Sequence, residues 1–139
     1  MPEALAEPFA RLPEYLSGHM RLSLAAIAMA LAVSLPLGIF TARRPAISGP
    51  ALTAASVMQT IPALALLALM VPLLGGMIGF LPAFVALTLY GVLPVLRNTI
   101  VALQAVDPGV REAARGVGMT PMQSLMRVDL PLALPTIVA

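Results

Sequence analysis

The sequence contains no cysteine and no tryptophan, and its eight Lys-or-Arg positions are all arginine. Without cysteine there is neither a disulfide framework nor a thiolate metal site. Without lysine there is no P-loop, because that loop needs a lysine to reach the β- and γ-phosphates of a nucleotide. If ATP drives the work of this chain, a partner binds it. Charge of either sign is scarce, at 10% of 139 residues with a formal net of +2. That excess is too small, and too little interleaved with aromatics, to grip nucleic acid. Apolar surface is what remains. At 60% hydrophobic the chain carries more than a soluble domain of this length can bury, so the bilayer is its expected solvent.

Residues 1–20 read as a separate external segment. Glu3 and Glu7 stand where a secretory signal carries basic residues. Leu5, Phe9, Leu12 and Leu16 fall near one helical face, which suits a surface-lying helix, while Pro8 and Pro13 interrupt it. Residues 22–42 then run 21 positions without a charge, between Arg21 and the pair Arg43-Arg44. At about 1.5 Å per residue that covers a hydrocarbon core of about 30 Å. The next 52 residues, 45–96, hold no Asp, Glu, Lys, Arg or His. They suffice for two spans, expected near 51–74 and 77–102, with Gly75-Gly76 as the turn. An arginine at mid-bilayer costs roughly 3 kcal/mol, so the third span is expected to place Arg97 at an interface and fill the apolar core with 77–96. Pro36, Pro62, Pro72 and Pro94 fall within spans and are read as kinks and close-packing sites.

A polar hairpin follows at 107–130. Asp107 suits a helix N-cap and Pro108 its first turn. Val110, Ala113, Ala114 and Val117 recur at helical spacing as a narrow apolar stripe, with Arg111, Glu112 and Arg115 facing elsewhere. Gly118 suits the left-handed residue that ends such a helix. Thr120 and Gln123 read as a capping box opening a second short helix, with Met122, Leu125 and Met126 as its stripe. Residues 131–139 begin another apolar run of roughly 14 Å, less than half a membrane. The chain therefore reads as an all-α, polytopic helical bundle truncated at the start of a fourth span. Placing 43–44 and 107–130 on one side collects Arg43, Arg44, Arg111, Arg115 and Arg127 there, and the positive-inside rule makes that side cytoplasmic and the N-terminus external.

The hairpin carries a further pattern: Glu112-Ala113-Ala114, three residues, Gly118, nine residues, then Val128-Asp129-Leu130-Pro131. This resembles the Glu-Ala-Ala loop of the permease subunits of bacterial ABC importers, with Val128 where that family usually has Ile. Stretches around His19-Met20-Arg21, Pro36-Leu37-Gly38, Gln59-Thr60-Ile61-Pro62 and Leu93 to Thr99 are similar to permeases for glycine betaine, carnitine and choline. The resemblance runs from about Gly18 to the end and implies the type I importer permease fold in a bacterial inner membrane. It also implies two cytoplasmic ATPases holding ATP and Mg, a second permease copy or paralogue, and an external substrate-binding protein. No cofactor, metal or catalytic residue is then expected on this chain, which would be a transport subunit rather than an enzyme. The substrate's quaternary ammonium would be held in an aromatic cage on the binding protein; this chain has two Tyr and no Trp from which to build one.

The resemblance assigns Glu112, Ala113, Ala114, Gly118, Val128, Leu130 and Pro131 to ATPase coupling. The residue types suit that role: small alanines admit close approach of a partner, Gly118 permits a bend, and Glu112 can pair with a partner's cation. Gln59, Thr60, Arg97 and Asn98 are candidates for a pathway or for helix packing, with Arg97 also suited to anchoring at the headgroups. His19, the single histidine, reads as interfacial. Permeases for methionine, phosphonates or sulfonates share the loop and stand as the alternative. A secondary transporter would want carboxylates in the spans, and an intramembrane hydrolase paired acids or a Ser–His arrangement; neither pattern is present. A small structural membrane protein is the remaining class.

Overall fold

The computed structural model describes residues 3–138, with side chains from Phe9 onward. The placements of the Leu5 and Pro8 side chains and of Ala139 lie outside that range. Seven α-helices and one π turn follow one another, and no strand occurs among the described residues.

Helix α1 (Glu3–Ala42) is a single run of 40 residues. It continues through Pro8, Pro13 and Pro36, so no break separates residues 3–20 from 21–42. Each proline removes one backbone bond and leaves the rest of a long ladder intact. Arg44 ends the turn after it by stacking its guanidinium 4.0 Å from the Phe40 ring centre.

The region read as one span near 51–74 is two helices, α2 (Pro45–Met58) and α3 (Ala63–Leu73), bent by 92° to one another. Pro62 explains the break. It cannot donate a backbone bond, and it pushes Ile61 away from helical geometry. The chain closes α2 instead with tight bonds from the Thr60 N–H to Val57 O and from the Ile61 N–H to Met58 O. At the far end, Gly75 and Gly76 take positive φ, and their N–H groups bond to Pro72 O and Val71 O. That pairing is a Schellman motif, and it sets the turn where the two glycines predicted one.

Helix α4 (Phe80–Gln104) occupies most of the region read as the third span. By length and hydropathy, Phe9–Ala42 and Phe80–Gln104 could each cross a membrane, and the bent pair could form one more crossing. Helices α1 and α4 lie side by side through small residues. A Cβ added at Gly91 would sit 3.2 Å from the Ala30 Cβ, and one added at Gly38 would sit 2.7 Å from Thr99. Because 30 meets 91 and 38 meets 99, the two helices run parallel, and both end on the same side of the bundle. Ser34 and Thr99 are fully buried in this seam. Each donates its hydroxyl to the carbonyl four residues back, at Ala30 and Val95, so neither leaves an unmet polar group.

The polar end of the bundle is built from α5 (Pro108–Gly116), α6 (Pro121–Ser124), a π turn (Leu125–Asp129) and α7 (Leu130–Ile137). The last three are continuous. The boundary expected at 130/131 is therefore absent, and the second arm of the hairpin and the following apolar segment form one helical run. Its core gathers Ala102, Leu103 and Val106 with Leu125, Ala133 and Ile137, and Leu35, Ile39 and Ala42 of α1 pack against it.

Candidate functional site

The hairpin assembles itself from local chemistry. The Asp107 carboxylate accepts a bond from the Gly109 N–H at 2.6 Å and so caps α5. Its C-terminus closes with the Gly118 N–H on Arg115 O and the Met119 N–H on Ala114 O, a second Schellman motif. Gly118 sits at φ 83°, the left-handed region where side chains are strained. Thr120 and Gln123 then form the reciprocal capping box. All three punctuation marks stand where the sequence placed them.

The apolar stripe divides. Ala114 is buried against the bundle, whereas Val110, Ala113 and Val117 are exposed. Leu125 likewise turns inward while Met122 and Met126 are exposed. A helix of nine residues has few positions to share between two faces, so one alanine makes the inner contact and the rest of the stripe is left for something else. Glu112 is exposed beside Ala113 and has no hydrogen bond or ion pair to another described residue. Val128 lies half-buried in the π turn, Leu130 packs on the core, and Pro131 is exposed in the first turn of α7.

The residue that sequence reading missed is Asp129. It is 5% exposed, and its Oδ1 accepts the Arg111 Nε–H at 2.9 Å while its Oδ2 lies 3.6 Å from Arg43 Nη2. Arg111, expected to face away, turns inward; its second arm donates to the carbonyl of Leu103 near the end of α4. Arg43 also donates to Pro121 O at 3.3 Å. A buried carboxylate needs such partners to offset its desolvation. A cavity of about 440 Å³ lies beside this network, lined by Ala42, Arg43, Leu103, Arg111, Arg115 and Asp129 among others. The signal available in advance was Asp129 itself, a lone acid between Val128 and Leu130 at the start of the apolar run 130–139.

The pathway candidates separate. Gln59 and Thr60 occupy the break between α2 and α3, and the Thr60 hydroxyl donates to Val57 O at 2.7 Å within its own turn. Arg97 is exposed on α4, and Asn98 is half-buried beside Thr99 of the α1–α4 seam. Nothing brings these four to the hairpin. Among the described residues no group of three His, Cys, Asp or Glu could hold a metal ion.

Residues 34–139 match the family described as "Binding-protein-dependent transport system inner membrane component". The chain is 45% identical over 122 residues to the osmoprotectant import permease protein OsmW of Salmonella typhimurium, a match covering 86% of this chain and 57% of that protein. It is 40% identical to the carnitine transport permease protein OpuCB of Listeria monocytogenes, over 87% of this chain and 55% of that one. It is 41% identical to the choline transport system permease protein OpuBB of Bacillus subtilis, again over 87% and 55%. The chain thus spans somewhat more than half the length of these relatives.

Proposed function

The chain belongs to the family of inner membrane components of binding-protein-dependent transport systems, and from that premise we propose that it is the permease portion of an ATP-driven importer for osmoprotectants. The substrate class is that of its relatives, whose names give osmoprotectant, carnitine and choline transport. In this reading a cytoplasmic ATPase supplies the ATP chemistry with its Mg, an external binding protein delivers the solute, and a second permease copy or paralogue completes the pathway. The hairpin 107–130 is the ATPase-docking element and faces the cytoplasm, with the N-terminus outside.

One observation carries the proposal: the Glu-Ala-Ala segment forms a capped helix whose Glu112, Ala113 and Val117 are exposed, closed by a glycine bend at φ 83°. A surface of small apolar groups with one carboxylate suits a groove on a partner bearing a cation. The parallel course of α1 and α4 supports the orientation, since it gathers Arg43, Arg44, Arg111, Arg115 and Arg127 at one end, as the positive-inside rule asks of a cytoplasmic face. The test is co-purification of the full-length permease with its ATPase, together with uptake of radiolabelled glycine betaine in liposomes containing both and the binding protein. Failure of the ATPase to associate would refute the coupling role. Uptake of methionine or a phosphonate in place of betaine would move the substrate class.

A further inference from the structure

The hairpin is not held to the bundle by apolar packing alone. A cavity lies between part of it and the ends of α1 and α4. Beside it Arg111 joins the hairpin's two arms through the buried Asp129 carboxylate, and Arg43 reaches the same carboxylate from the turn after α1. Arg43 belongs to the turn after α1, Arg111 to α5, and Asp129 to the π turn that leads into α7. Arg111 adds a bond to α4 through Leu103 O, and Arg43 adds one to the start of α6 through Pro121 O. Three segments therefore meet at one carboxylate, and the two guanidinium groups tie in two more.

The position of that carboxylate has a local cause. Pro131 has no N–H to continue the helical ladder, and just before it the helix widens by one residue, the Leu130 N–H reaching Leu125 O. The widened turn carries Asp129 on its inner side, while the exposed faces of α5 and α6 stay outward.

We propose that Asp129, through Arg111 and Arg43, is a positioning residue that makes the hairpin and the membrane helices move as one body. The inference rests on the docking role assigned to the hairpin above. The cavity is why the ion pairs matter for coupling. A hairpin pushed by a partner could rock into open space; Arg111, bonded to both Asp129 and Leu103 O, and Arg43 on the same carboxylate convert the push into displacement of α1, α4 and α7. Docking and transmission then depend on different residues: Glu112, Ala113 and Val117 for the first, Asp129 with Arg111 and Arg43 for the second.

The experiment uses the full-length permease with its ATPase and binding protein in liposomes, and measures glycine betaine taken up per ATP hydrolysed. The variants are Asp129→Asn, Arg111→Gln, their double, and Arg43→Gln. The expected result is that ATPase co-purification stays within about twofold of wild type while uptake per ATP falls about tenfold in Asp129→Asn and in Arg111→Gln. The double variant is expected to be no worse than the worse single, because both remove the same contact. Arg43→Gln, at the exposed and longer contact, is expected to lower the ratio about two- to threefold. Wild-type uptake per ATP in the single variants, or multiplying losses in the double, would overturn the proposal. If the Asp129 and Arg111 variants fail to reach the membrane, Arg43→Gln decides: an unchanged ratio there means the network serves folding only. Absence of the ATPase from the unaltered permease would instead refute the docking role itself.

Discussion

Gly38 on α1 lies so close to Thr99 on α4 that a Cβ at position 38 would fall 2.7 Å from both the Cβ and the Cγ2 of the threonine. Real side-chain contacts do not reach that distance, so the two backbones can approach only because one partner has no side chain. Eight residues earlier, Gly91 meets Ala30 at 3.2 Å, a gap that a small shift relieves. The seam sets which ends of the bundle coincide, and through that it places Arg43 against the hairpin. Small residues suit helix contacts in lipid, where close backbone approach replaces the missing hydrophobic drive.

Gly38→Ala is therefore expected to destabilise the α1–α4 pair by about 1–3 kcal/mol, as overpacking typically does. Gly91→Ala is expected to cost clearly less. Moving the gap across the seam, with Gly38→Ala and Thr99→Gly together, should recover part of the loss. Denaturation midpoints of the purified protein in detergent provide the comparison. A Gly38→Ala protein as stable as wild type would mean that the seam is looser than described.

Gly118 tests a different kind of constraint. No atom lies within 4 Å of where its Cβ would be, so a substitution there meets only the cost of its left-handed backbone. For a branched residue that cost is of order 1–2 kcal/mol. Gly118→Val is expected to leave membrane insertion intact and to reduce ATPase co-purified per permease, because the docking face is misdirected. Gly118→Asn, a residue that tolerates this region, should fall between the two. Equal recovery for all three proteins would refute the bend's importance.

Glu112 makes no contact that holds the hairpin together, so Glu112→Ala should preserve its structure. The expected effect is weaker ATPase association and lower substrate-stimulated hydrolysis in liposomes, milder than for Gly118→Val. Wild-type values would leave the hairpin as a plain connector.

Orientation can be read by labelling, since the chain has no cysteine of its own. Single cysteines at Ser17 and Gln123, both exposed, should respond oppositely to a membrane-impermeant thiol reagent applied to intact cells. Position 17 is expected to label and position 123 to stay protected. Labelling of position 123 from outside would invert the topology.

The hairpin's punctuation was legible in the residues because capping is local. Asp107, Gly118, Thr120 and Gln123 each bond within three residues of themselves, and no distant group is needed to decide their geometry. The glycine turn at 75–76 is local too, its bonds reaching three and five residues back. The all-α membrane character followed from uncharged apolar runs long enough to span as helices, which satisfy their own backbone groups in lipid.

What the tertiary structure decided lies at longer range. Pro62 was visible, but it was one of five prolines in the candidate spans; the chain stays helical through Pro36 and Pro94 yet turns by 92° at the break before Pro62. The neighbours of each carbonyl that a proline frees are not a property of its own segment. Arg111 and Asp129 are 18 residues apart across a glycine bend, and periodicity put Arg111 on the outer face. Packing turned it inward, because a carboxylate buried beside the ends of α1 and α4 is stable only where cations can reach it. Helical spacing identifies which residues share a face of one helix; which of those faces is covered depends on how the helices cross, and here Gly38 and Thr99 set that crossing.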